Sequence, residues 1–288
     1  MSNNILQYCG IHLHKDGYKT YYDLIKNYHI NWQCNSFQIF LSSPYSLKYS
    51  PSIDINDIQL TKRYIKANNI HLITHAGYLI NFSNPNKKLI SVMIENIIEE
   101  LTIMNKLGGI GVIIHMGKSL ENSYQESLEI FVENLKIIIN YMIKHHIKCK
   151  LILENSAHQG TEFGYSIEQI KDIYISFTYI ERKYIGFCID SCHLFQAGYD
   201  IRDELVIKKF FKDFKNVIGI RKLLAIHIND SKKDIGGKAD RHENIFEGKI
   251  GKHLQKFIKY STKFKVPMIL ETPKKDLEQL NKLKNSIK

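Results

Sequence analysis

The chain has 288 residues, of which 44% are hydrophobic and 24% are charged, a composition typical of an ordinary globular protein. The sequence predicts no membrane span, because no apolar run approaches the ~20 residues that a span needs. The N-terminal residues also lack the features of a secretory signal. We therefore expect a protein that is not secreted. Lys and Arg outnumber Asp and Glu by 40 to 29, which gives a net charge of +11. This surplus favours a polyanionic partner (nucleic acid, an acidic membrane surface or an acidic protein), although it also serves solubility alone.

Short apolar runs alternate with longer stretches of helical periodicity along the chain. The predicted strands are 6–13, 36–41, 70–75, 111–115, 150–154, 184–190, 223–229 and 266–271. The predicted helices are 86–107, 123–145, 166–179, 203–214 and 251–263. Eight strands separated by helices predict an α/β protein, a single (β/α)8 TIM barrel over residues 1–288, with an open doubly wound sheet as the alternative. Nothing in the composition marks a domain boundary.

Six residues with metal-ligating side chains lie at or near the C-terminal ends of the predicted strands. They are His75, His115, Glu154, Asp190, His227 and Glu271, and their successive numbers differ by 40, 39, 36, 37 and 44. Each interval is about one strand–helix unit, so a barrel would bring all six to the rim where such enzymes hold their active sites. A single histidine at the end of a strand is more often a hydrogen-bonded core residue than a ligand. Six such residues, each at the end of a successive predicted strand, indicate a metal centre.

Two polar clusters add three residues to this set. His193 follows Asp190 by three residues, and His242 follows Asp240 by two in a polar stretch that could otherwise be a solvated loop. Carboxylates and imidazoles together suit zinc, with manganese or iron as alternatives. Cys188 comes two residues before Asp190 and is a weaker candidate, since it is expected in the core. Nine ligands require more than one ion, and paired or triple ions are a known arrangement for phosphoryl transfer.

Longer motifs surround these residues. They read HAGYLIN at 75–81, LEN at 153–155, DSCH at 190–193 with AGYD at 197–200, HINDSK at 227–232 and DRHENI at 240–245. In these motifs, and over nearly its whole length, the chain resembles the endonuclease IV family of apurinic/apyrimidinic (AP) endonucleases. The resemblance implies three zinc ions, with Mn²⁺ or Fe²⁺ as substitutes. The implied ligands are His75, His115 and Glu154 for the first ion, Glu154, Asp190, His227 and Glu271 for the second, and His193, Asp240 and His242 for the third.

The resemblance also implies the reaction. Such an enzyme acts in base excision repair on double-stranded DNA. It hydrolyses the phosphodiester 5′ to an abasic site, leaves a 3′-hydroxyl and a 5′-deoxyribose phosphate, and trims blocked 3′ ends. Glu154 bridges two ions and Glu271 lies near the attacking hydroxide, so both are expected to be catalytic. The resemblance further implies a monomer. The absence of a signal and of an apolar span predicts a protein without a membrane partner that lies inside a cell wherever DNA is repaired, encoded either by the cell or by a virus.

Side chains on the rim loops are expected to contact DNA. Tyr78 and Leu79 match the residues that fill the gap left by the flipped abasic nucleotide, and Tyr45 stands nearest the position of an inserting arginine. Lys232 and Arg241 lie beside the implied third ion and are candidates for phosphate contacts.

The chain departs from the family pattern at three further positions. His158 and Phe246 replace glycines, and His14 replaces a serine. His12, two residues earlier, is expected in the pocket wall. None of these changes touches an implied ligand, so they bear on the DNA footprint and not on the chemistry.

Two other functions remain open. A sugar isomerase or epimerase of the same barrel class would use two metals, and would need neither the third cluster nor inserting residues. A DNA-binding module without catalysis would have no need of every ligand. Metal stoichiometry distinguishes the first alternative, and binding of DNA without cleavage would indicate the second.

Overall fold

Eight parallel strands close into a barrel in the computed structural model, which describes residues 6–47 and 53–287. The barrel strands are β1 (Cys9–Leu13), β2 (Ser36–Ile39), β3 (His71–His75), β4 (Gly111–His115), β5 (Lys150–Glu154), β6 (Ile185–Asp190) and β7 (Leu223–His227), and then, after a hairpin of β8 (Asp230–Ser231) and β9 (His242–Glu243), β10 (Met268–Leu270). Their order around the barrel is β1-β10-β7-β6-β5-β4-β3-β2. The predicted TIM barrel is confirmed and the open sheet is excluded. Each predicted strand contains one barrel strand, although residues 6–8 form a short 3-10 helix instead.

Helices surround the barrel. They are α1 (Tyr21–Trp32), α2 (Ile55–Ala67), α3 (Lys87–Leu107), α4 (Tyr124–Lys144), α5 (Ile167–Ile175), α6 (Ser191–Gln196), α7 (Glu204–Val217), α8 (Leu254–Ser261) and α9 (Leu277–Ile287). The predicted helices at 86–107, 123–145 and 203–214 correspond to α3, α4 and α7. The one at 166–179 ends four residues early as α5, and the one at 251–263 consists of α8 between two 3-10 turns. Within the described residues, no helix is both long enough and apolar enough to cross a bilayer.

Local sequence sets where the long helices begin. The Asn86 side chain accepts hydrogen bonds from the first turn of α3, and Ser123 with Glu126 forms a reciprocal capping box at α4. Gly108 ends α3 with a φ of 81°, a left-handed conformation that glycine adopts without steric cost. These caps fix the ends between which each helix buries one stripe against the strands.

The core has two layers. Most of it lies between the strands and the helices, and a smaller cluster fills the barrel interior: Ile73, Ile113, Ile152, Cys188 and Ala225. All five cysteines are buried and unpaired, as their odd number and wide spacing predict. The packed interior leaves the C-terminal rim as the place where polar side chains converge.

The hairpin after β7 brings the second polar cluster back to the rim. Ser231 pairs with His242 across β8 and β9. The Asp230 carboxylate accepts hydrogen bonds from the main-chain N–H groups of Gly248, Ile250 and Gly251, at 3.0, 2.9 and 3.0 Å. Residues 232–241 are therefore closed into a loop whose end carries Asp240 beside the barrel mouth.

Candidate metal centre

The rim side chains line one cavity of about 490 Å³. Four of the six predicted strand-end residues line it, namely His75, His115, Glu154 and Glu271, whereas Asp190 and His227 are fully buried behind them. The register pairs His115 with Glu154 and Asp190 with His227 on neighbouring strands. The strand ends therefore bring together residues that lie far apart in the sequence.

The first group is centred on one oxygen of Glu154. Glu154 Oε2 lies 3.0 Å from His75 Nε2 and 3.6 Å from His115 Nε2. Glu154 is buried, so its carboxylate faces these imidazoles and not bulk water. Two imidazole nitrogens and a carboxylate oxygen within 4.8 Å of one another are a donor set that a divalent cation can occupy.

The second group shares the same carboxylate. His227 Nδ1 lies 2.7 Å from Glu154 Oε1, 3.0 Å from Glu271 Oε2 and 3.8 Å from Asp190 Oδ2. Three carboxylates around one imidazole repel one another unless a cation lies among them. Cys188 also lies within 4.8 Å of Glu154 and His227, but burial raises the pKa of its thiol to about 12.

The third group joins α6 to the hairpin. Asp240 Oδ1 lies 3.2 Å from His193 Nε2 and 3.0 Å from His242 Nε2, and Asp190 Oδ2 lies 3.7 Å from the same nitrogen of His242. Although these atoms are close, both Nε2 atoms are buried and neither makes a hydrogen bond. Two imidazole nitrogens that face one carboxylate without hydrogen bonds are suited to a cation, since a buried polar atom left unpaired costs free energy.

Hydrogen bonds to the main chain determine which imidazole nitrogen faces the cavity. The Nδ1 atoms of His75, His193 and His242 lie 2.7, 2.7 and 3.3 Å from the carbonyl oxygens of Ala76, Asn155 and Glu271, respectively. A carbonyl only accepts, so each Nδ1 carries a hydrogen and each Nε2 is the nitrogen that faces the carboxylates of the cavity, where it would offer its lone pair to a cation once its own proton is lost. Metal-binding histidines are held in this way. The donors and their orientation fit bound zinc.

The electrostatics of the groups support the same interpretation. Burial would raise the pKa of the Glu154 carboxyl, but His227 holds it well below its ordinary value. Burial would lower the pKa of His193, but Asp190 and Asp240 raise it well above its ordinary value. Oppositely charged side chains therefore stabilise one another in the cavity. A divalent cation would take the place of the imidazole protons, because ligating imidazoles are neutral.

Two tyrosine side chains line the cavity mouth, and Leu79 follows one of them in the chain. Tyr45, Tyr78 and Leu79 are 76%, 52% and 48% exposed, and the rings of the two tyrosines lie 5.4 Å apart. The main-chain N–H of Tyr78 donates to the Pro44 carbonyl oxygen at 2.9 Å. The loops after β2 and β3 thus support one another, and the sequence prediction that these residues lie on a rim is consistent with their positions.

Basic side chains line the same mouth. Lys232 and Arg241, both exposed, lie at the two ends of the hairpin loop, where the Lys232 N–H donates to the Arg241 carbonyl oxygen at 3.0 Å. Lys118, after β4, forms an ion pair with Glu162 at 3.4 Å. The cavity combines an acidic floor with a partly cationic mouth.

Sequence reasoning missed the amide side chains that hold the carboxylates. Gln38 Nε2 donates to Glu271 Oε1 at 2.6 Å, and Gln38 Oε1 lies 2.8 Å from His227 Nε2. Asn229 Nδ2 donates to Asp190 Oδ2 at 2.6 Å, and Asn229 Oδ1 accepts the Glu271 N–H at 2.9 Å. The available signal for Gln38 was an amide between the apolar residues Phe37 and Ile39 of a predicted strand.

Two of the three positions that are expected to depart from the family pattern share a backbone conformation. His158 and Phe246 have φ angles of 63° and 70°, a region that L-residues adopt at a cost and glycine does not. His158 stacks on Tyr165 with the ring centroids 3.7 Å apart, and Phe246 packs against the core. Both side chains therefore make packing contacts that a glycine would lack.

Known proteins share the fold of this chain, and some are similar to it in sequence over most of its length. Residues 32–288 match a family profile described as "Xylose isomerase-like TIM barrel". A putative endonuclease 4 of Acanthamoeba polyphaga mimivirus is 33% identical over 250 residues, which are 84% of this chain and 79% of that protein. A probable endonuclease 4 of Thermosipho melanesiensis is 36% identical over 243 residues, which are 83% of each chain. The crystal structure of endonuclease IV from Thermus thermophilus matches with a TM-score of 0.82, covering 97% of this chain and 98% of that one, at 22% identity. That match supports the fold, and the two sequence relatives support the family.

Proposed function

Because the chain belongs to the endonuclease IV family of AP endonucleases, we propose that it cuts duplex DNA on the 5′ side of abasic sites. The products are a 3′-hydroxyl and a 5′-deoxyribose phosphate, and blocked 3′ ends are trimmed at the same site. Family membership makes the chain a DNA-repair endonuclease. The observation that carries the finer assignment is the fixed orientation of three imidazoles toward one rim cavity.

We propose that the cavity binds three zinc ions, for which Mn²⁺ or Fe²⁺ could substitute. Their ligands are His75, His115 and Glu154; Glu154, Asp190, His227 and Glu271; and His193, Asp240 and His242. When bound, the ions supply positive charge that stabilises the pentacovalent phosphate, and they acidify the attacking water. In each of the three sets, every residue has a donor nitrogen or oxygen atom within 3.8 Å of a donor atom of another residue in that set.

The chain's own groups orient the reactants. Glu271 is held by Gln38 and through its main-chain N–H by Asn229, so its carboxylate is fixed where it lines the cavity. We infer that it accepts a hydrogen bond from the attacking water and so aims that water at the phosphorus atom. Glu154, held between His75 and His227, keeps the imidazoles on both sides in register.

The mouth residues are proposed to bind the damaged duplex. Tyr78 and Leu79 fill the gap that the flipped abasic nucleotide leaves, and Tyr45 stacks on a neighbouring base. Flipping a nucleotide without a base is cheaper than flipping an intact one, which favours abasic sites without any base-reading contact. Lys232 and Arg241 are proposed to bind backbone phosphates. We expect the protein to act as a monomer, with residues 1–288 as one catalytic domain.

A sugar isomerase or epimerase is the alternative, since the matching barrel profile is described as xylose isomerase-like. The third group argues against it. Asp240 and His242 belong to the β8–β9 hairpin, which lies outside the barrel strands. An enzyme with two metal ions does not need this third set of ligands. Elemental analysis of the purified protein distinguishes the two, because about three ions per chain indicate the nuclease and two the isomerase.

The direct test uses zinc-loaded protein and a duplex with one tetrahydrofuran residue, which cannot be cut by β-elimination. Cleavage on the 5′ side of the analogue is expected from the wild-type protein, and Glu271→Gln should lose it. Glu129→Gln, an exposed carboxylate on α4, is the matched control and should cleave like the wild type. Intact metal content without any cleavage would refute the nuclease assignment.

A further inference from the structure

A lysine outside the proposed ligand set lines the cavity on the side of β10. Lys275 lies four residues after Glu271 and is partly buried. Its main chain is fixed on both sides: the Lys274 N–H donates to Asn244 Oδ1 at 3.0 Å, and Asp276 Oδ1 accepts the N–H of Gln279 at 3.0 Å. The ammonium group is therefore attached to a rigid segment of the rim.

Histidines from β1 and the residue after it hold that ammonium group in place. Lys275 Nζ contacts His14 Nε2. The rings of His14 and His12 stack with centroids 5.4 Å apart, and His12 also packs on Phe40 at 4.3 Å. His12 Nε2 is buried in the cavity wall and makes no hydrogen bond. Lys275 and His12 thus line the same cavity, and the stacked ring of His14 lies between them.

Lys275 differs from Lys118, another lysine that lines the cavity, which has Glu162 as an ion-pair partner. Among residues 6–47 and 53–287, no carboxylate lies within ion-pairing distance of Lys275, and its hydrogen-bond partner is an imidazole. A partly desolvated ammonium group with no carboxylate in contact is suited to a phosphate, although the charges of Glu271 and Asp16 act on it from a greater distance.

We propose that Lys275, positioned by His14, is a phosphate-binding residue that contacts the backbone of the DNA strand whose abasic nucleotide lies in the cavity. This inference rests on the proposed function. It gives the β1–β10 side of the mouth a phosphate contact separate from Lys232 and Arg241 on the hairpin. The arrangement anchors the strand from two sides, which fixes the scissile phosphate along the direction of the backbone.

The test is equilibrium binding of the zinc-loaded protein to the nicked product duplex, measured by fluorescence anisotropy over a range of salt concentrations. Lys275→Gln should weaken binding about 5- to 10-fold and reduce the slope of log K against log salt by about one. Lys275→Arg should keep the wild-type slope because it keeps the charge. Lys148→Gln is the control, since this exposed lysine precedes β5 at the opposite end of the barrel.

A second arm identifies the phosphate. Single uncharged methylphosphonate linkages are placed in turn along the strand. At the linkage that Lys275 contacts, the loss of binding affinity from Lys275→Gln and the loss from the neutral linkage should be less than additive. This inference alone is overturned if Lys275→Gln binds DNA with the affinity and the salt slope of the wild-type protein. It is also overturned if the salt slope of Lys275→Arg equals that of Lys275→Gln. A wild-type protein that does not prefer the nicked abasic product to intact duplex overturns the proposed function as well.

Discussion

Glu100 is a buried carboxylate whose ionisation should destabilise the fold. It lies on α3, is 2% exposed, and forms no salt bridge among the described residues. One oxygen accepts a hydrogen bond from Ser42 Oγ at 3.0 Å, and the other has no partner. Burial raises the pKa of Glu100 from 4.5 to about 7, although Ser42 and the charge of His75 act in the opposite direction.

The sign of the pH dependence follows from this direction. Between pH 4.5 and about 7 the folded protein holds a proton on Glu100 that the unfolded chain has released. The free energy of unfolding therefore falls as the pH rises through this window. The difference between the two pKa values corresponds to about 3 kcal/mol, which is fully lost above the window.

The variant Glu100→Gln keeps the size of the side chain and removes the charge. Its stability relative to the wild type should increase by about 2–3 kcal/mol between pH 5 and pH 8. Any fixed cost of burying the amide is the same at both pH values and cancels. The assay is urea denaturation at several pH values, with Glu99→Gln as the control, since Glu99 is the neighbouring carboxylate on the same helix. A difference between Glu100→Gln and wild type that stays constant from pH 5 to pH 8 would refute the reasoning.

Three further substitutions test the site and the fold. Asn229→Ala removes the hydrogen bond to Asp190 and should lower zinc affinity about 10- to 100-fold in a chelator competition, and unchanged affinity would contradict its positioning role. Asp57→Ala removes the acceptor of two main-chain N–H groups at the start of α1 and should cost about 2–4 kcal/mol by urea denaturation, whereas a loss under about 1 kcal/mol would show that water replaces it. Tyr45→Ala should weaken binding to an abasic duplex about 10-fold or more and raise the fluorescence of 2-aminopurine opposite the site, while Tyr179→Ala, a tyrosine of similar exposure, should change neither.

The strands and the proposed ligands were predictable because both depend on short-range patterns. Six of the eight predicted apolar runs end in a polar residue, and the barrel places the C-terminal ends of all eight strands on one rim. His75, His115, Glu154 and Asp190 are the final residues of their strands, so the sequence spacing already contains their convergence.

Other elements depend on contacts that no local pattern contains. The first helix, α1, was not predicted: its sequence is rich in tyrosine and asparagine, which are moderate helix formers. Its first turn is stabilised by Asp57 on α2, 35 residues away from Tyr22. The short helix α6 was hidden because Asp190, which ends β6, also caps that helix by accepting the His193 N–H. Gln38 acquires its role only when β2 lies near β7 and β10 across the barrel.

The bonds that orient the histidines differ in how mutation can reach them. The acceptors for His75, His193 and His242 are main-chain carbonyls, which every amino acid carries, so no exchange of the accepting residue's side chain deletes them. His227 instead relies on the side-chain amide of Gln38, which a single substitution removes. The centre is therefore unevenly sensitive to mutation. Main-chain atoms orient three of these imidazoles, so substitution of the accepting residue leaves the acceptor in place, whereas a single substitution of Gln38 removes the acceptor that orients His227.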